Sequence, residues 1–257
     1  MVSKRKEPSK AKPIFWDEKS DAVAILIHGF SGAPEELFDL AQFLAKGGIS
    51  VKLPVLAGHG DHWMSLADAN AEDWKLSVER ELDWARANFK KIFLVGFSLG
   101  GTLALDAAAR NSNKIAGVVS LSAPVFLRGE MFISVLLPIW HKIFKKYRKQ
   151  FVAKEFLDAY EESGRYLYLP TKSIYDFYNF IKESRGIYKK VTVPTLVIQS
   201  QNDTLIHHLS AEYIFQELSS AKKELVIFDD TTHNQSKGSI YRTKQFVKIS
   251  QFINGLL

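Results

Sequence analysis

The sequence contains no cysteine among its 257 residues. Disulfide bonds, thiolate metal sites and a cysteine nucleophile are therefore excluded, and the redox compartment stays open. The sequence also lacks any apolar run that approaches the ~20 residues needed to span a membrane. The basic start of the chain, MVSKRKEPSKAKP, contains no apolar stretch of the kind a signal peptide carries. We therefore expect a cytoplasmic protein.

Acidic residues are in the minority, with 28 Asp and Glu against 34 Lys and Arg, and the excess of positive charge is uneven. Residues 1–12 carry five basic side chains and one acidic, and residues 125–190 carry thirteen basic and seven acidic. A solvated surface is the simplest interpretation of such charge. Because no recognition motif accompanies it, we expect no nucleic-acid partner. Weak contact of residues 125–190 with a membrane surface is possible on this charge pattern, and the oligomeric state is left open.

Short apolar, β-branched runs alternate with amphipathic stretches along most of the chain. Strands strictly alternating with helices are typical of parallel βαβ units, in which helices cover both faces of a sheet. The expected fold class is thus α/β, with a mostly parallel sheet. The pattern predicts strands at 22–27, 49–53, 91–95, 115–121, 194–199 and 224–228, and helices at 34–46, 70–89, 99–110, 209–218 and 239–253.

The alternation is interrupted between residues 125 and 190. These 66 residues have a helical pattern and carry 15 of the 32 aromatic residues. A structureless connection of this length is uncommon, so we expect a helical insertion over one end of the sheet. Helix packing explains many of the aromatic residues, but a small insertion has little interior, which favours a lid over an apolar pocket. The predicted organisation is a basic flexible tail (1–12), a core (13–124 and 191–257) and a helical cap (125–190).

The stretch LVGFSLGG, residues 94–101, joins the end of a buried strand to a serine between glycines. A sharp turn from strand to helix needs glycines where side chains would collide, and it holds its apex residue in a strained conformation with the side chain thrust outwards. Ser98 stands at this apex, either as a nucleophile or as a chance occupant of a tight turn. Asp203 and His233 follow two later strands, and ligands bind at the carboxyl ends of strands in open α/β sheets.

A serine hydroxyl needs a histidine to accept its proton, and the histidine needs a carboxylate to fix its tautomer. Ser98, Asp203 and His233 supply these three groups in that order along the chain. Asp229 and Asp230 are alternative carboxylates. They lie only a few residues before His233 on the same loop, so a return contact with its ring is awkward, and we prefer Asp203.

An oxyanion in the transition state needs two backbone N–H donors. We expect one from Leu99, at the start of the helix after the nucleophile. We expect the other from Phe30, in the loop His28-Gly29-Phe30-Ser31-Gly32, whose glycines let the backbone approach a substrate. Both Phe30 and Leu99 then contact the substrate, and the Phe30 side chain is free to line the pocket.

Three histidines have simpler interpretations than catalysis. We interpret His28 as a hydrogen-bonding residue that positions the backbone of its loop. His59 and His62, in the stretch Gly-His-Gly-Asp-His, suggest metal binding, but their spacing lacks a helix face and an obvious third ligand. We therefore expect no metal and no organic cofactor.

The motifs described above, taken together, resemble those of the α/β-hydrolase superfamily and, more narrowly, those of the small bacterial carboxylesterases that overlap with monoacylglycerol lipases. The resemblance extends from about Pro13 to the C-terminus. It departs from the family at Thr232, where such enzymes often have glycine before the catalytic histidine. The segments that carry it are Lys12-Pro13-Ile14-Phe15-Trp16, His28-Gly29-Phe30, Gly58-His59-Gly60, Gly96-Phe97-Ser98-Leu99-Gly100-Gly101, Ser122-Ala123-Pro124, Asp203 and His233.

The resemblance implies an α/β-hydrolase fold with a small helical cap, inserted after the sixth strand, that shapes an acyl pocket. It implies the same triad and oxyanion donors as the residue analysis. The expected function is serine-dependent hydrolysis of short-to-medium acyl esters or monoacylglycerols through an acyl-enzyme. Two alternatives stay open: the same triad acting on an aromatic or feruloyl ester, a thioester or an amide, or a non-catalytic module that binds a small apolar ligand.

Overall fold

The computed structural model describes residues 11–149, 166–229 and 240–257 of the chain. A mixed sheet of seven strands forms its centre, and a separate pair of short strands lies outside it. The strands are β1 (Ile14–Trp16), β2 (Ala22–Ile27), β3 (Ser50–Leu53), β4 (Lys91–Phe97), β5 (Ile115–Leu121), β6 (Lys146–Arg148), β7 (Tyr168–Pro170), β8 (Thr195–Ser200) and β9 (Lys223–Phe228).

The central sheet has the strand order β1-β3-β2-β4-β5-β8-β9. Six of its strands are mutually parallel: β3, β2, β4, β5, β8 and β9. The remaining strand, β1 at the edge, is antiparallel to β3. The carboxyl ends of β4, β5, β8 and β9 therefore meet in sequence along one edge. This edge holds the turns after β4 and β8, where the sequence places Ser98 and Asp203.

Helices cover both faces of the central sheet. Their bounds are α1 (Phe38–Lys46), α2 (Ala71–Asn88), α3 (Leu99–Arg110), α4 (Glu130–Ile143), α5 (Thr171–Ser184), α6 (Leu209–Glu217) and α7 (Ile240–Asn254), with short 3-10 turns at Pro34–Leu37, Trp63–Asp68 and Tyr188–Lys190.

Strand β2 shows how the core is divided. All six of its residues are buried, and successive side chains point to opposite faces. Val23 and Ile25 belong to the core under α2 and α3, whereas Ala24 and Leu26 belong to the core under α1 and α7. Burial on both faces explains the continuous apolar run, and the predicted α/β fold class is confirmed.

The segment 125–190 leaves the sheet after β5, which is the fifth strand of this chain. The predicted position after the sixth strand is therefore wrong by one, because in the described residues only one short strand, β1, precedes the first parallel strand β2. The described part of the segment contains α4, α5 and the antiparallel pair β6–β7. Its helical content agrees with the sequence pattern, whereas the strand pair does not follow from it.

Side-chain contacts join this segment to the core at several points. The Ser173 hydroxyl on α5 donates to the Leu66 carbonyl at 2.9 Å. The Tyr166 hydroxyl donates to the Gly58 carbonyl at 3.2 Å. None of the helices in the described ranges is both long and apolar enough to cross a membrane, and the cytoplasmic location stays a prediction.

Candidate active site

Ser98 is the single residue between the end of β4 and the start of α3. Its backbone has φ 53° and ψ −118°, a conformation that is strained for a residue with a side chain. The strain is held by hydrogen bonds on both sides. The Ser98 N–H donates to the Leu121 carbonyl at 2.8 Å, and its carbonyl accepts from the Gly101 N–H at 2.9 Å. The turn is therefore built around this residue.

The two glycines that flank Ser98 are required by the packing. A Cβ on Gly96 would lie 2.0 Å from the carbonyl oxygen of Gly100. A Cβ on Gly100 would lie 2.0 Å from the carbonyl oxygen of Ile27, at the end of β2. The backbone of α3 thus approaches both β4 and β2 more closely than any side chain allows. This geometry agrees with the prediction of a sharp strand-to-helix turn.

The loop after β2, residues 28–32, passes next to Ser98. A Cβ on Gly29 would lie 3.3 Å from the Cβ of Ser98. The loop that contains Phe30 therefore passes beside the serine, and the role of the Phe30 N–H as an oxyanion donor stays a prediction. Leu99, the other expected donor, is the first residue of α3, and the first N–H groups of a helix lack an intrahelical acceptor.

His28 connects this loop to the chain after β3. Its Nε2 accepts from the Leu56 N–H at 3.2 Å, and its Nδ1 donates to the Gly29 carbonyl at 2.9 Å. An N–H donor requires an unprotonated acceptor, so the ring is neutral with its proton on Nδ1. Burial also lowers the pKa of His28. His28 thus positions the loop backbone, in agreement with the sequence interpretation.

His59 supports the next residue of the loop in the same way. Its Nε2 accepts from the Ser31 N–H at 3.1 Å, and its Nδ1 donates to the Ala57 carbonyl at 3.0 Å. Burial, with a smaller contribution from His28, lowers the pKa of His59 to about 3. Ser31 has φ 58°, which lies in the left-handed region of backbone conformation. The neutral, buried His59 ring therefore holds Ser31 in this conformation.

The metal interpretation of His59 and His62 finds no support. The His62 Nδ1 accepts from the Met64 N–H at 3.3 Å, and both ring nitrogens of His59 bond to backbone. Across the described ranges, no group of three or more His, Cys, Asp or Glu side chains could hold a metal ion.

Glu36 is a third support of the loop. Its Oε2 accepts from the Gly29 N–H at 2.8 Å. The same oxygen would lie 2.6 Å from a Cβ on Gly32, so the absence of a side chain at Gly32 makes room for the carboxylate. Glu36 therefore fixes the loop from the side of the 3-10 turn that precedes α1.

Phe30 and the segment 125–190 meet through aromatic rings. The Phe30 ring stacks on Phe177 of α5 with centroids 4.7 Å apart and planes 4° apart. Its edge contacts Trp74 of α2 at 5.8 Å. The Lys149 ammonium donates to the Ser31 hydroxyl at 2.6 Å. The segment therefore contacts the loop beside Ser98 with both an apolar ring and a cation.

Asp203 lies in the turn after β8 and has no solvent exposure. Its Oδ1 accepts from the N–H groups of Leu205 at 2.9 Å and Ile206 at 2.8 Å. Its Oδ2 accepts from the Gln199 side-chain amide at 3.1 Å. These three hydrogen bonds stabilise the carboxylate in its buried position. The alternative acid Asp229 is exposed at the end of β9.

The remaining predicted site residues lie outside the described residues. They are His233 and the alternative acid Asp230. The structure thus brings Ser98 together with the loop of Phe30, and it places Asp203 beyond β8, two strands from β4 in the sheet. The role of His233 as the base stays a prediction.

The sequence patterns do not predict a role for Glu36, Gln199 or Arg128. Gln199 holds the Asp203 carboxylate, and Arg128 donates through Nε to the Asp203 main-chain carbonyl at 2.6 Å. A polar residue at the end of a buried strand was an available signal for Gln199. Neither of the other two side chains has a local sequence signal, because each acts on a partner that only the fold brings near.

Residues 18–236 match the family model described as Hydrolase_4, serine aminopeptidase S33. The chain belongs to this family. It is 31% identical to a thermostable monoacylglycerol lipase of Bacillus sp. (strain H-257) over 228 residues, which cover 88% of this chain and 87% of that protein. It is 26% identical to a carboxylesterase of Bacillus subtilis (strain 168) over 83% of this chain and 85% of the relative.

The hydrolase also shares its fold with solved structures. A monoacylglycerol lipase from Paleococcus ferrophilus superposes with a TM-score of 0.79 at 17% identity, covering 96% of this chain and 99% of the other. The resemblance seen in the sequence is confirmed: this is an α/β-hydrolase of the carboxylesterase and monoacylglycerol lipase type. Membership of this enzyme family favours catalysis over the non-catalytic binding module.

Proposed function

We propose that this hydrolase cleaves carboxylic esters with short to medium acyl chains, or monoacylglycerols, through the triad Ser98, His233 and Asp203. The observation that carries the proposal is the strained backbone of Ser98 between two glycines that tolerate no side chain. A turn of this kind presents a serine side chain as a nucleophile. The names of the two Bacillus relatives indicate the ester class.

In the first half of the proposed reaction, Ser98 attacks the ester carbonyl while His233 accepts the hydroxyl proton. Asp203 stabilises the resulting imidazolium and fixes the ring tautomer. The N–H groups of Phe30 and Leu99 donate to the oxyanion of the tetrahedral intermediate. The C–O bond to the alcohol then breaks, and the alcohol leaves with the proton from His233. An acyl-enzyme on Ser98 remains.

In the second half, His233 accepts a proton from water, whose oxygen attacks the acyl carbonyl. The same two N–H groups hold the second oxyanion. The bond to Ser98 then breaks, the serine oxygen takes the proton back from His233, and the carboxylic acid is released. In this scheme every proton moves to or from His233.

The proposed substrate class follows from the aromatic surroundings of the loop beside Ser98. We propose that residues 125–190 act as a cap over the site, because Phe177 of this segment stacks on Phe30. An apolar slot gains about 0.8 kcal/mol for each methylene group it buries. A cap with aromatic walls therefore favours acyl chains over small polar substrates.

Amide hydrolysis is the second candidate, because the matching family model is described as serine aminopeptidase. A panel of p-nitrophenyl esters of increasing acyl length, monoacylglycerols, a feruloyl ester, a thioester and aminoacyl p-nitroanilides distinguishes the two. We expect turnover of the acyl esters and monoacylglycerols. Turnover of the anilides without turnover of any ester would contradict our proposal and would indicate that the protein is a peptidase.

The triad is tested with Ser98→Ala and the matched control Ser112→Ala, whose side chain is exposed after α3. We expect Ser98→Ala to lower kcat on p-nitrophenyl esters by at least about a thousandfold and to abolish labelling by a fluorophosphonate. Ser112→Ala should retain both. Full turnover by folded Ser98→Ala protein would refute the serine mechanism.

A further inference from the structure

Three serines at one edge of the sheet have a left-handed backbone. They are Ser31 with φ 58°, Ser98 with φ 53° and Ser122 with φ 48°. They stand in the turns after β2, β4 and β5, which are neighbours in the central sheet. Strained residues of this kind cluster at active sites, where the surrounding contacts hold them in place. The strain at Ser98 belongs to the proposed nucleophile, whereas the strain at Ser31 has no role in the scheme above.

The presence of serine at position 31 calls for a physical reason. A left-handed backbone favours glycine, because a Cβ there approaches a neighbouring carbonyl oxygen. The same loop has glycine at positions 29 and 32, yet the left-handed residue between them is Ser31. The strain is offset only if the hydroxyl makes a contact that glycine cannot make.

Three polar groups hold Ser31, which is 2% exposed. Its N–H donates to the His59 Nε2 at 3.1 Å, and its carbonyl accepts from the Tyr166 N–H at 3.4 Å. Its hydroxyl accepts from the Lys149 ammonium at 2.6 Å. The first two contacts use backbone and are open to any residue. The third requires the hydroxyl, and its donor is charged, which makes such a bond short and strong.

Two of these three groups belong to the proposed cap and are fixed to each other. Lys149 directly follows β6, and its N–H donates to the Leu167 carbonyl at 3.0 Å, which continues the pairing of β6 with β7. Tyr166, next to Leu167, accepts through its hydroxyl from the Asp61 N–H at 3.1 Å and donates to the Gly58 carbonyl at 3.2 Å. The strand pair is therefore anchored on the core at the point where it contacts Ser31.

We propose that the hydrogen bond between Lys149 and Ser31 positions the backbone of Phe30, the proposed oxyanion donor. Ser31 follows Phe30 directly, so a displacement of Ser31 is passed to the Phe30 backbone. Oxyanion donors act by being held in place before charge develops, so a small displacement weakens transition-state stabilisation. Lys149 and Ser31 are thus positioning residues that act through Phe30.

The cap then contributes to catalysis as well as to the shape of the pocket. It contacts Phe30 through the stacked ring of Phe177 and Ser31 through Lys149, so two consecutive residues of the loop are held from the same side. A correctly seated cap becomes a condition for a complete oxyanion site. This inference rests on the proposed function, because it assigns residues that support the proposed Phe30 donor.

A double-mutant cycle tests the proposal on the full chain. Ser31→Ala, Lys149→Met and the double variant are assayed with a neutral, water-soluble p-nitrophenyl ester. We expect each single change to lower kcat about tenfold with little change in KM. The double variant should also lose about tenfold and not about a hundredfold, because both changes remove the same bond. Lys149→Arg keeps a charged donor and should recover most of kcat.

Two further measurements separate positioning from general stability. Ser31→Gly should lower kcat as much as Ser31→Ala, although its unfolding temperature should be equal or higher, because glycine adopts φ 58° without strain. A trifluoromethyl ketone, which the Ser98 hydroxyl converts to a hemiketal oxyanion, should bind more weakly to Ser31→Ala. The affinity should fall by the same factor as kcat/KM, since both report stabilisation of the oxyanion.

Matched controls come from the proposed cap itself. Lys145→Met removes an exposed lysine between α4 and β6. Ser134→Ala removes an exposed hydroxyl that donates to the Met131 carbonyl within α4. Both variants should retain the wild-type kcat.

An alternative role for Lys149 is attraction of an anionic substrate. In that case Lys149→Met would raise KM for the p-nitrophenyl monoester of suberic acid, which carries a free carboxylate, and would leave kcat for the neutral ester unchanged. That result would overturn the positioning role. Independent losses that multiply to about a hundredfold in the double variant would overturn it too.

Failure of this inference is distinguishable from failure of the proposed function. Wild-type kcat in Ser31→Ala and Lys149→Met, with Ser98→Ala inactive, would refute the positioning role and leave the serine mechanism intact. Full turnover by Ser98→Ala would refute the serine mechanism and this inference with it.

Discussion

Arg128 and Asp203 are joined across 75 residues of sequence by a hydrogen bond from the Arg128 Nε to the Asp203 main-chain carbonyl, 2.6 Å long. A second bond runs in parallel, from the Arg128 N–H to the Leu205 carbonyl at 3.0 Å. Arg128 stands two residues before α4. The start of the proposed cap therefore supports the turn that carries the proposed catalytic acid.

We expect Arg128→Ala to lower kcat about tenfold with little change in KM. The loss follows because a charged donor is removed from the carbonyl of Asp203, and such a bond contributes about 1.5–3 kcal/mol. Arg128→Lys should recover part of the loss. Steady-state kinetics on a water-soluble ester measure both constants.

Arg242→Ala is the control for this change, since Arg242 pairs with Asp39 at 2.8 Å on the other face of the sheet. It should leave kcat unchanged. An equal decrease in kcat for Arg242→Ala and Arg128→Ala would mean that the effect is general destabilisation and not a change in the acid turn.

The elements next to the site could be predicted from sequence with good boundaries. Strands β2 and β5 and helix α3 have the predicted limits, and α2 lies within the predicted range 70–89. Asn70 caps α2, since its side chain accepts from the Glu72 N–H at 2.9 Å. Continuous β-branched runs, a capping residue and glycines at fixed spacing are local signals. They locate Ser98 because its conformation is decided by its immediate neighbours.

Other features depend on contacts that no local pattern encodes. Strands β1, β6 and β7 have three residues each, too few for a period to be recognised. Glu36 and Arg128 act on backbone groups that the fold brings near, so residue type alone gives no indication of their role. The base His233 lies outside the described residues and stays a prediction from chain order.

We expect Gly100→Ala to prevent folding or to lower the unfolding temperature strongly. The new Cβ would lie 2.0 Å from the Ile27 carbonyl oxygen and 2.8 Å from that of His28, and the backbone at both positions belongs to or adjoins a central strand. The clash is relieved only if α3 is displaced. Overpacking of cores typically costs about 1–3 kcal/mol, and we expect a cost of several kcal/mol here because the clash is with backbone.

Gly186→Ala is the control for overpacking. A Cβ at Gly186 meets no atom within 4 Å, so this variant should unfold near the wild-type temperature. Thermal unfolding followed by circular dichroism measures both. A Gly100→Ala protein as stable as Gly186→Ala would contradict the close approach of α3 to β2.

We expect Glu36→Ala to lower kcat by about five- to tenfold, because the Gly29 N–H loses its acceptor and the loop that carries the proposed Phe30 donor is less well fixed. KM should change little if the loop acts mainly on the transition state. Glu36→Gln keeps an oxygen in place and should lose less activity.

Glu35→Ala is the matched control, since Glu35 precedes Glu36 in the same 3-10 turn and is exposed. It should retain full kcat. Equal losses for both variants would assign the effect to the charge of the turn and not to the bond with Gly29.

His59 predicts a pH dependence of stability. Its pKa is about 3 in the folded chain, against 6.5 for an ordinary histidine. Between these values the unfolded state binds a proton that the folded state excludes, so stability is full above about pH 6.5 and falls as the pH decreases towards 3. The slope for one such group is about 1.4 kcal/mol per pH unit.

We expect His59→Gln to be less stable than the wild type at pH 7.5, because packing around the ring is lost, but to lose about 2 kcal/mol less on transfer to pH 5. Part of the dependence should remain, since burial lowers the pKa of His28 as well. Urea unfolding at the two pH values gives the four free energies needed. His62→Gln, at an exposed position, should keep the wild-type dependence. If His59→Gln keeps it too, the pKa of the His59 ring must be the same in the folded and the unfolded chain. The folded ring would then be protonated at pH 5, where it could not accept the Ser31 N–H that holds the loop beside Ser98.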